Sequence, residues 1–157
     1  MDGQAEQTLA RLIRNTRIAA LGTLHEGNPN LAMVAYAFAD DLSAFYIHIS
    51  KLGKHTKDMG TNPRVSLLIT ETDDLRADPQ TLARVSLQGT AEMLPRTDPG
   101  YDHVRRIYLA RFPEAEQLFN LGDFNIWKIT PQSLRFVAGF ARAYNLAPEV
   151  LRKVSQI

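Results

Sequence analysis

The sequence predicts a mainly β fold of the α+β type, a small antiparallel barrel with peripheral helices, and three observations carry that expectation. Six or seven strand-like runs follow one another with turn signals between them. Helical periodicity is confined to the two ends, one crossover and the hairpin between the fifth and sixth runs, so the strict alternation of a doubly wound sheet is missing. The fifth run is long and carries Gly89, which predicts a bulge or sharp bend of the kind small barrels use.

Within the N-terminal segment 1–16, Ala5, Leu9, Leu12 and Ile13 recur at helical spacing with Asp2 placed to cap. This makes 3–15 an amphipathic helix that covers a sheet or barrel end. RIAALGTL (17–24) alternates weakly but ends on the turn signal His25-Glu26-Gly27-Asn28-Pro29. In LAMVAYAFA (31–39) both alternating sets are apolar, as expected of a strand covered on both sides, and its small residues leave room for a flat ligand. Asp40-Asp41 then turns the chain into AFYIHI (44–49), which completes a three-stranded meander.

A short basic helix follows and is stopped by Gly60-Thr61-Asn62-Pro63, after which PRVSLLITE supplies a fourth strand with Val65, Leu67 and Ile69 on one face. Residues 72–80 form a polar loop, and LARVSLQGTAEML (82–94) is the fifth strand. Asp98 and Pro99 open a helix carrying Tyr101, Val104 and Tyr108 as an apolar stripe beside Arg105, Arg106 and Arg111. Pro113 starts a second short helix. FNIWKI (124–129) and SLRFVAG (133–139) are read as two strands broken at Thr130-Pro131, and 147–157 as a closing helix. One domain spans 1–157, with no repeat or linker.

Composition narrows the function classes. There is no cysteine, which excludes a disulfide framework, a thiolate metal site and a cysteine nucleophile. Eighteen basic against 17 acidic residues leave a formal net charge of +1, so no global field draws the chain to nucleic acid or to a membrane. A polar start and the lack of any membrane-length apolar run predict a cytoplasmic protein. No GxSxG, Walker or GxGxxG motif occurs, and no histidine pair has metal-ligand spacing.

The sharpest local feature is the turn after Ser50. Lys51, Lys54 and His55 lie at i, i+3, i+4, so they share a helix face where free N–H groups meet two ammonium groups. That combination attracts a phosphate; a solvated basic face is the alternative. His48 alternates with Tyr46 on a strand and reads as a wall residue or a base. Trp127 reads as core or as ligand wall. Arg84 and Arg135 lie in apolar strands and need a partner, such as a ligand phosphate or a carboxylate of a second copy, unless they stand at the barrel rim.

FYIHISKLGKHTKDMGTNPRVSLLI resembles the strand, basic turn and strand of the FMN-binding split barrels, the pyridoxamine 5′-phosphate oxidase-like superfamily. LARVSLQGTAEML is similar to that superfamily's next long strand, and DFNIWKITPQSLRFVAGFARAY resembles the closing hairpin of its bacterial haem-utilisation branch. The resemblance covers about residues 17–145. It implies a six-stranded antiparallel split barrel that forms a homodimer with FMN in grooves at the subunit interface, acting as an oxidoreductase on a small molecule. Ser50, Lys51, Lys54, His55 and Thr56 would hold the phosphate. Met33, Val34, Ala35 and Tyr36 would line the isoalloxazine, with Arg84, Trp127 and Arg135 nearby. The oxidase ending Arg-x-His is replaced by Arg135-Phe136-Val137, which argues against pyridoxamine phosphate oxidation.

Haem is the alternative cofactor that the same resemblance implies. The haem-degrading branch carries a C-terminal histidine ligand, and Asp123 matches the acidic position associated with it. No histidine follows His103, so His48 or His55 would have to serve as the axial ligand. A non-catalytic split barrel is the third expectation.

Overall fold

The computed structural model describes all 157 residues as one curled antiparallel sheet with five helices around it. Helix α1 (Gly3–Asn15) begins where the Asp2 carboxylate accepts from the Ala5 amide at 2.9 Å. It buries Leu9, Leu12 and Ile13 in the main core. Strands β1 (Ile18–His25) and β2 (Asn28–Ala35) form a hairpin closed by Glu26 and Gly27, both at positive φ, the mirror-image turn that matches strand twist. Strand β2 therefore starts three residues earlier than the turn signal implied. The turn needs only two residues.

After Tyr36, β3 (Ala37–Phe38) pairs with β4 (Phe45–Ser50). Helix α2 (Lys54–Thr61) leads to β5 (Arg64–Thr70), and β6 (Arg84–Leu94) follows the polar loop. Helices α3 (Tyr101–Arg111) and α4 (Glu116–Phe119) then cover β4, and the chain ends in β7 (Phe124–Val137), β8 (Ala143–Leu146) and α5 (Glu149–Val154). No helix is long and apolar enough to cross a membrane.

The strand order β2-β1-β5-β6-β7-β4-β3 explains the barrel. The two edges, β2 and β3, are consecutive in the chain, so one continuous segment leaves one edge and enters the other. Leu21, Leu67, Leu87 and Leu134 are in register across four strands and point inward together with Ile47, Ile129 and Phe136. Arg111 ties the seam. It donates to the carbonyls of Tyr36 and Arg14 at 2.9 Å each and to that of Thr16, and its guanidinium lies over Phe38 at 4.8 Å.

The mainly β barrel with peripheral helices is as the sequence predicts, and the strand count is eight in place of six. The additional strands are the short β3 and β8, whereas the two runs expected at 124–129 and 133–139 form one strand, β7, unbroken through Thr130-Pro131. Gly89 pairs with Pro131 while Gln88 pairs with Ser133, so Gln132 is the extra residue of a bulge. Proline, lacking an N–H, is tolerated there. A Cβ on Gly89 would meet the Thr130 carbonyl oxygen at 2.3 Å, which explains the glycine.

Candidate functional site

The outer face of the sheet is where small and polar residues gather. Along one cross-strand row stand Met33, Ala20, Leu68, Ser86, Arg135 and Asn145, and along the next Leu31, Gly22, Ser66, Gln88 and Ser133. The rows are apolar at the β2-β1-β5 end and polar at the β6-β7 end. At the apolar end a groove of about 640 Å³ is lined by Ile18, Leu31, Met33, Leu68 and Leu82, among others. Leu31 and Met33 are 74% and 71% exposed, an exposure large apolar side chains seldom have side by side unless something covers them. Nothing in this chain covers the outer face of β2, so the cover on both sides that the sequence predicts would have to come from another molecule.

The same alternation divides the predicted ring-binding set. Met33 faces the groove, whereas Val34 and Tyr36 point into the core, and the Tyr36 hydroxyl donates to the Ile13 carbonyl at 2.7 Å. Ala35 is half-buried, packed against the cluster under α3. Trp127 lies in the barrel interior, so it is core rather than ligand wall. The side chains of Val34, Tyr36 and Trp127 are therefore packed in the core and do not face the outer groove. Both strand sets at 31–38 are apolar, so periodicity alone did not tell inward from outward.

The predicted phosphate turn is present but partly committed to itself. The Ser50 hydroxyl accepts from the Leu52 amide at 3.1 Å, and the Thr56 hydroxyl donates to the Ser50 carbonyl at 2.6 Å. His55 packs against Gly53 with its Nε2 buried and unpaired, and burial holds its pKa below the ordinary value. Lys51 and Lys54 remain exposed at the start of α2, whose Gly53 cap provides no side-chain acceptor. These two are the free cations of the set.

The arginines have local partners. Arg84 donates to the carbonyls of Gln80 and Leu82 at 2.9 and 3.0 Å, so no ligand is needed to satisfy it. Arg135 stands exposed on the outer face and donates to Asn145 Oδ1 at 2.9 Å. Arg84, at the start of β6, stands at the rim, and Arg135 is displayed on the exposed outer face, so neither is a buried charge in need of a ligand.

His48, expected as a wall residue, a base or an axial ligand, is sealed under α3 and α4. Its ring stacks on Phe119 at 3.7 Å, and neither nitrogen has a partner. Burial, with the nearby positive charge of Arg96, pushes its pKa down to about 4. It reaches no open groove.

A cluster that sequence reasoning missed lies at the end of the β1-β2 hairpin. Asp58 on α2 has a fully buried carboxylate that accepts from Thr23 Oγ1 at 2.9 Å, His25 Nδ1 at 2.7 Å and Asn30 Nδ2 at 3.2 Å. Burial raises its pKa, and the bonds from His25, Thr23 and Asn30 outweigh that effect and hold it below the usual carboxylate range. The signal was one inward acidic residue on a short helix, but its partners lie about 30 residues away in the chain. Elsewhere, no three His, Asp or Glu side chains converge as a metal cage would require.

Residues 5–138 match the family described as pyridoxamine 5′-phosphate oxidase. The chain is 37% identical over 120 residues to the chloroplastic haem oxygenase HOZ of Arabidopsis thaliana, covering 76% of this chain and 35% of that protein. It is 25% identical over 154 residues to the haem oxygenase HutZ of Vibrio cholerae, covering 96% of this chain and 86% of HutZ. A solved haem-binding protein from Mycobacterium smegmatis superposes with a TM-score of 0.84 at 25% identity, covering 98% of this chain and 61% of that one. The chain thus spans about a third of the chloroplast relative and under two thirds of the mycobacterial one.

Proposed function

The chain belongs to the pyridoxamine 5′-phosphate oxidase family, and from that premise we propose that it is a haem-binding protein whose porphyrin lies on the outer face of the sheet, beneath a second copy of the chain. The observation that carries this is the exposed groove of Ile18, Leu31, Met33 and Leu68, with Arg135 further along the same face. Haem is a flat apolar ring with two carboxylates at one edge, and this face is apolar at one end and polar, with the cation of Arg135, at the other. Two relatives named as haem oxygenases and a fold neighbour named as haem-binding support the same choice.

The residues fit haem better than FMN. A flavin phosphate would find Lys51, Lys54 and the Ser50 hydroxyl proton, but the Thr56 hydroxyl is committed to the Ser50 carbonyl and His55 is buried. FMN stays the second reading because those two lysines meet the uncapped start of α2. When bound, haem would supply the iron chemistry, and this chain's residues would hold the ring, exclude water and anchor the carboxylates.

Replacing Leu31 and Met33 together by aspartate is expected to weaken haemin binding at least tenfold, because charges would sit against the ring. Both side chains are exposed, so the fold should survive. Absorption titration checks the affinity, and Lys51→Ala with Lys54→Ala provides the contrast. If the groove variant binds haemin like the parent while the lysine variant does not, the ligand lies at the basic turn and the proposal fails.

A further inference from the structure

We infer that the groove between α3 and the sheet is a second ligand site, one that takes an apolar α-amino acid by both of its charges. It lies apart from the haem groove and goes beyond the haem reading without resting on it.

Tyr46 on β4, Lys128 on β7 and Glu92 on β6 are opposed in one cross-strand row. Alternation puts all three on the outward face, because their strand neighbours Phe45, Ile47, Trp127, Ile129 and Ala91 are in the barrel core. The start of α3 and the segment leading to it lie beside this row and leave a groove of about 330 Å³. It shares no residue with the groove of Leu31 and Met33.

Three groups border this groove with nothing in the chain to answer them. Tyr46 is only 7% exposed, and its hydroxyl makes no hydrogen bond. The hydroxyl is not sealed either, since the sealed side-chain atoms without a partner belong to His48, His55 and Trp127. It therefore looks into the groove that Tyr46 lines. Lys128 is half-buried on the same wall. No ion pair of the chain includes it or Glu92, although the two are direct cross-strand neighbours. A buried phenol and a half-buried ammonium without acceptors are costly, and a ligand that brings an acceptor recovers that cost.

The order of the groups sets the class of ligand. Opposed side chains leave the sheet about 5 Å apart, so phenol, ammonium and carboxylate stand side by side. A ligand carboxylate accepts from Tyr46 and Lys128, and a ligand ammonium donates to Glu92. A molecule whose two charged groups share one carbon matches opposite charges on neighbouring strands. The start of α3, which has no side-chain cap, adds the positive end of its dipole to the same groove. Met93, Leu94, Pro95 and Val104 provide an apolar wall for the side chain of the amino acid. Asp98 also borders the groove, but its Oδ1 accepts from the Gly100 amide at 2.7 Å and so closes its own turn.

The test is calorimetric titration of the full chain with leucine, methionine and phenylalanine. At least one is expected to bind, one molecule per chain. For the tightest of them, the analogue without the amino group and the amine without the carboxylate are each expected to bind at least tenfold more weakly. Lys128→Met, which keeps the stem, and Glu92→Gln are each expected to weaken binding at least tenfold, and Tyr46→Phe severalfold.

No binding by any of the three amino acids overturns the inference, as does unchanged affinity in Lys128→Met and Glu92→Gln. Equal binding of either single-charge analogue also overturns it, because the site would then read only one charge. Glu92 is exposed, so Glu92→Gln is expected to fold and decides the matter alone if Lys128→Met does not. Haemin takes no part in these titrations, so failure here leaves the haem reading standing, and failure of that reading leaves this site.

Discussion

Arg111→Ala is expected to lower the stability of the folded chain by about 3 kcal/mol, roughly 6–12 °C in melting temperature for a chain of this size. Its guanidinium donates to the carbonyls of Arg14, Thr16 and Tyr36, which belong to the end of α1, the link into β1 and the crossing from β2 to β3. Those segments meet where the barrel closes on itself. A hydrogen bond from a charged donor contributes about 1.5–3 kcal/mol, and the three here share one partly screened group, so their effects do not simply add. Lysine keeps the charge but has no planar fork to span three carbonyls, so Arg111→Lys should recover less than half of the loss. Urea unfolding of the three proteins is the check. A loss under 1 kcal/mol in the alanine variant would mean that the barrel closes without this latch.

The second large effect is acid sensitivity centred on His48. Its imidazole is buried among Phe119, Tyr108 and Phe124 with no acceptor or donor, so the folded state holds it neutral down to about pH 4. The unfolded chain takes up that proton near pH 6.5. Between those values the unfolded state binds the extra proton, so the stabilisation is fully present above about pH 6.5 and is lost as pH falls towards 4. The slope is at most about 1.4 kcal/mol per pH unit, which gives about 1.5 kcal/mol of loss between pH 6.5 and 5. His48→Leu removes the titrating group and keeps an apolar filling. Urea midpoints at about pH 7.5 and 5 should therefore differ less in the variant than in the parent. Equal differences would place the acid sensitivity elsewhere.

Much of the barrel could be read from local chemistry. Asp2 caps α1, Glu26-Gly27 turns the first hairpin, and Gly89 marks the bulge, each for a reason contained in a few neighbouring residues. The exceptions are instructive. Pro131 signalled a break, yet the bulge it requires is made possible by Gly89 on the neighbouring strand. β1 alternated weakly because its outward residues, Ala20 and Gly22, are small, although its inward residues Ala19, Leu21 and Thr23 are uniformly buried.

The site was less legible for the same reason. Lys51 and Lys54 could be found by spacing, since both lie in one turn. Whether Val34 or Met33 faces the outer groove depends on which face of β2 enters the core, and two apolar sets conceal that choice. The Asp58 cluster depended on α2 packing under a hairpin distant in the chain, and no local pattern announces such a partner.

The central claim, a haem groove on the outer sheet face, is tested most directly by titrating the purified full chain with haemin and, separately, with FMN. The account predicts a Soret band displaced from that of free haemin, saturating at a fixed ratio and undisturbed by excess FMN. A free-haemin spectrum throughout, together with quenching of FMN fluorescence, would contradict it.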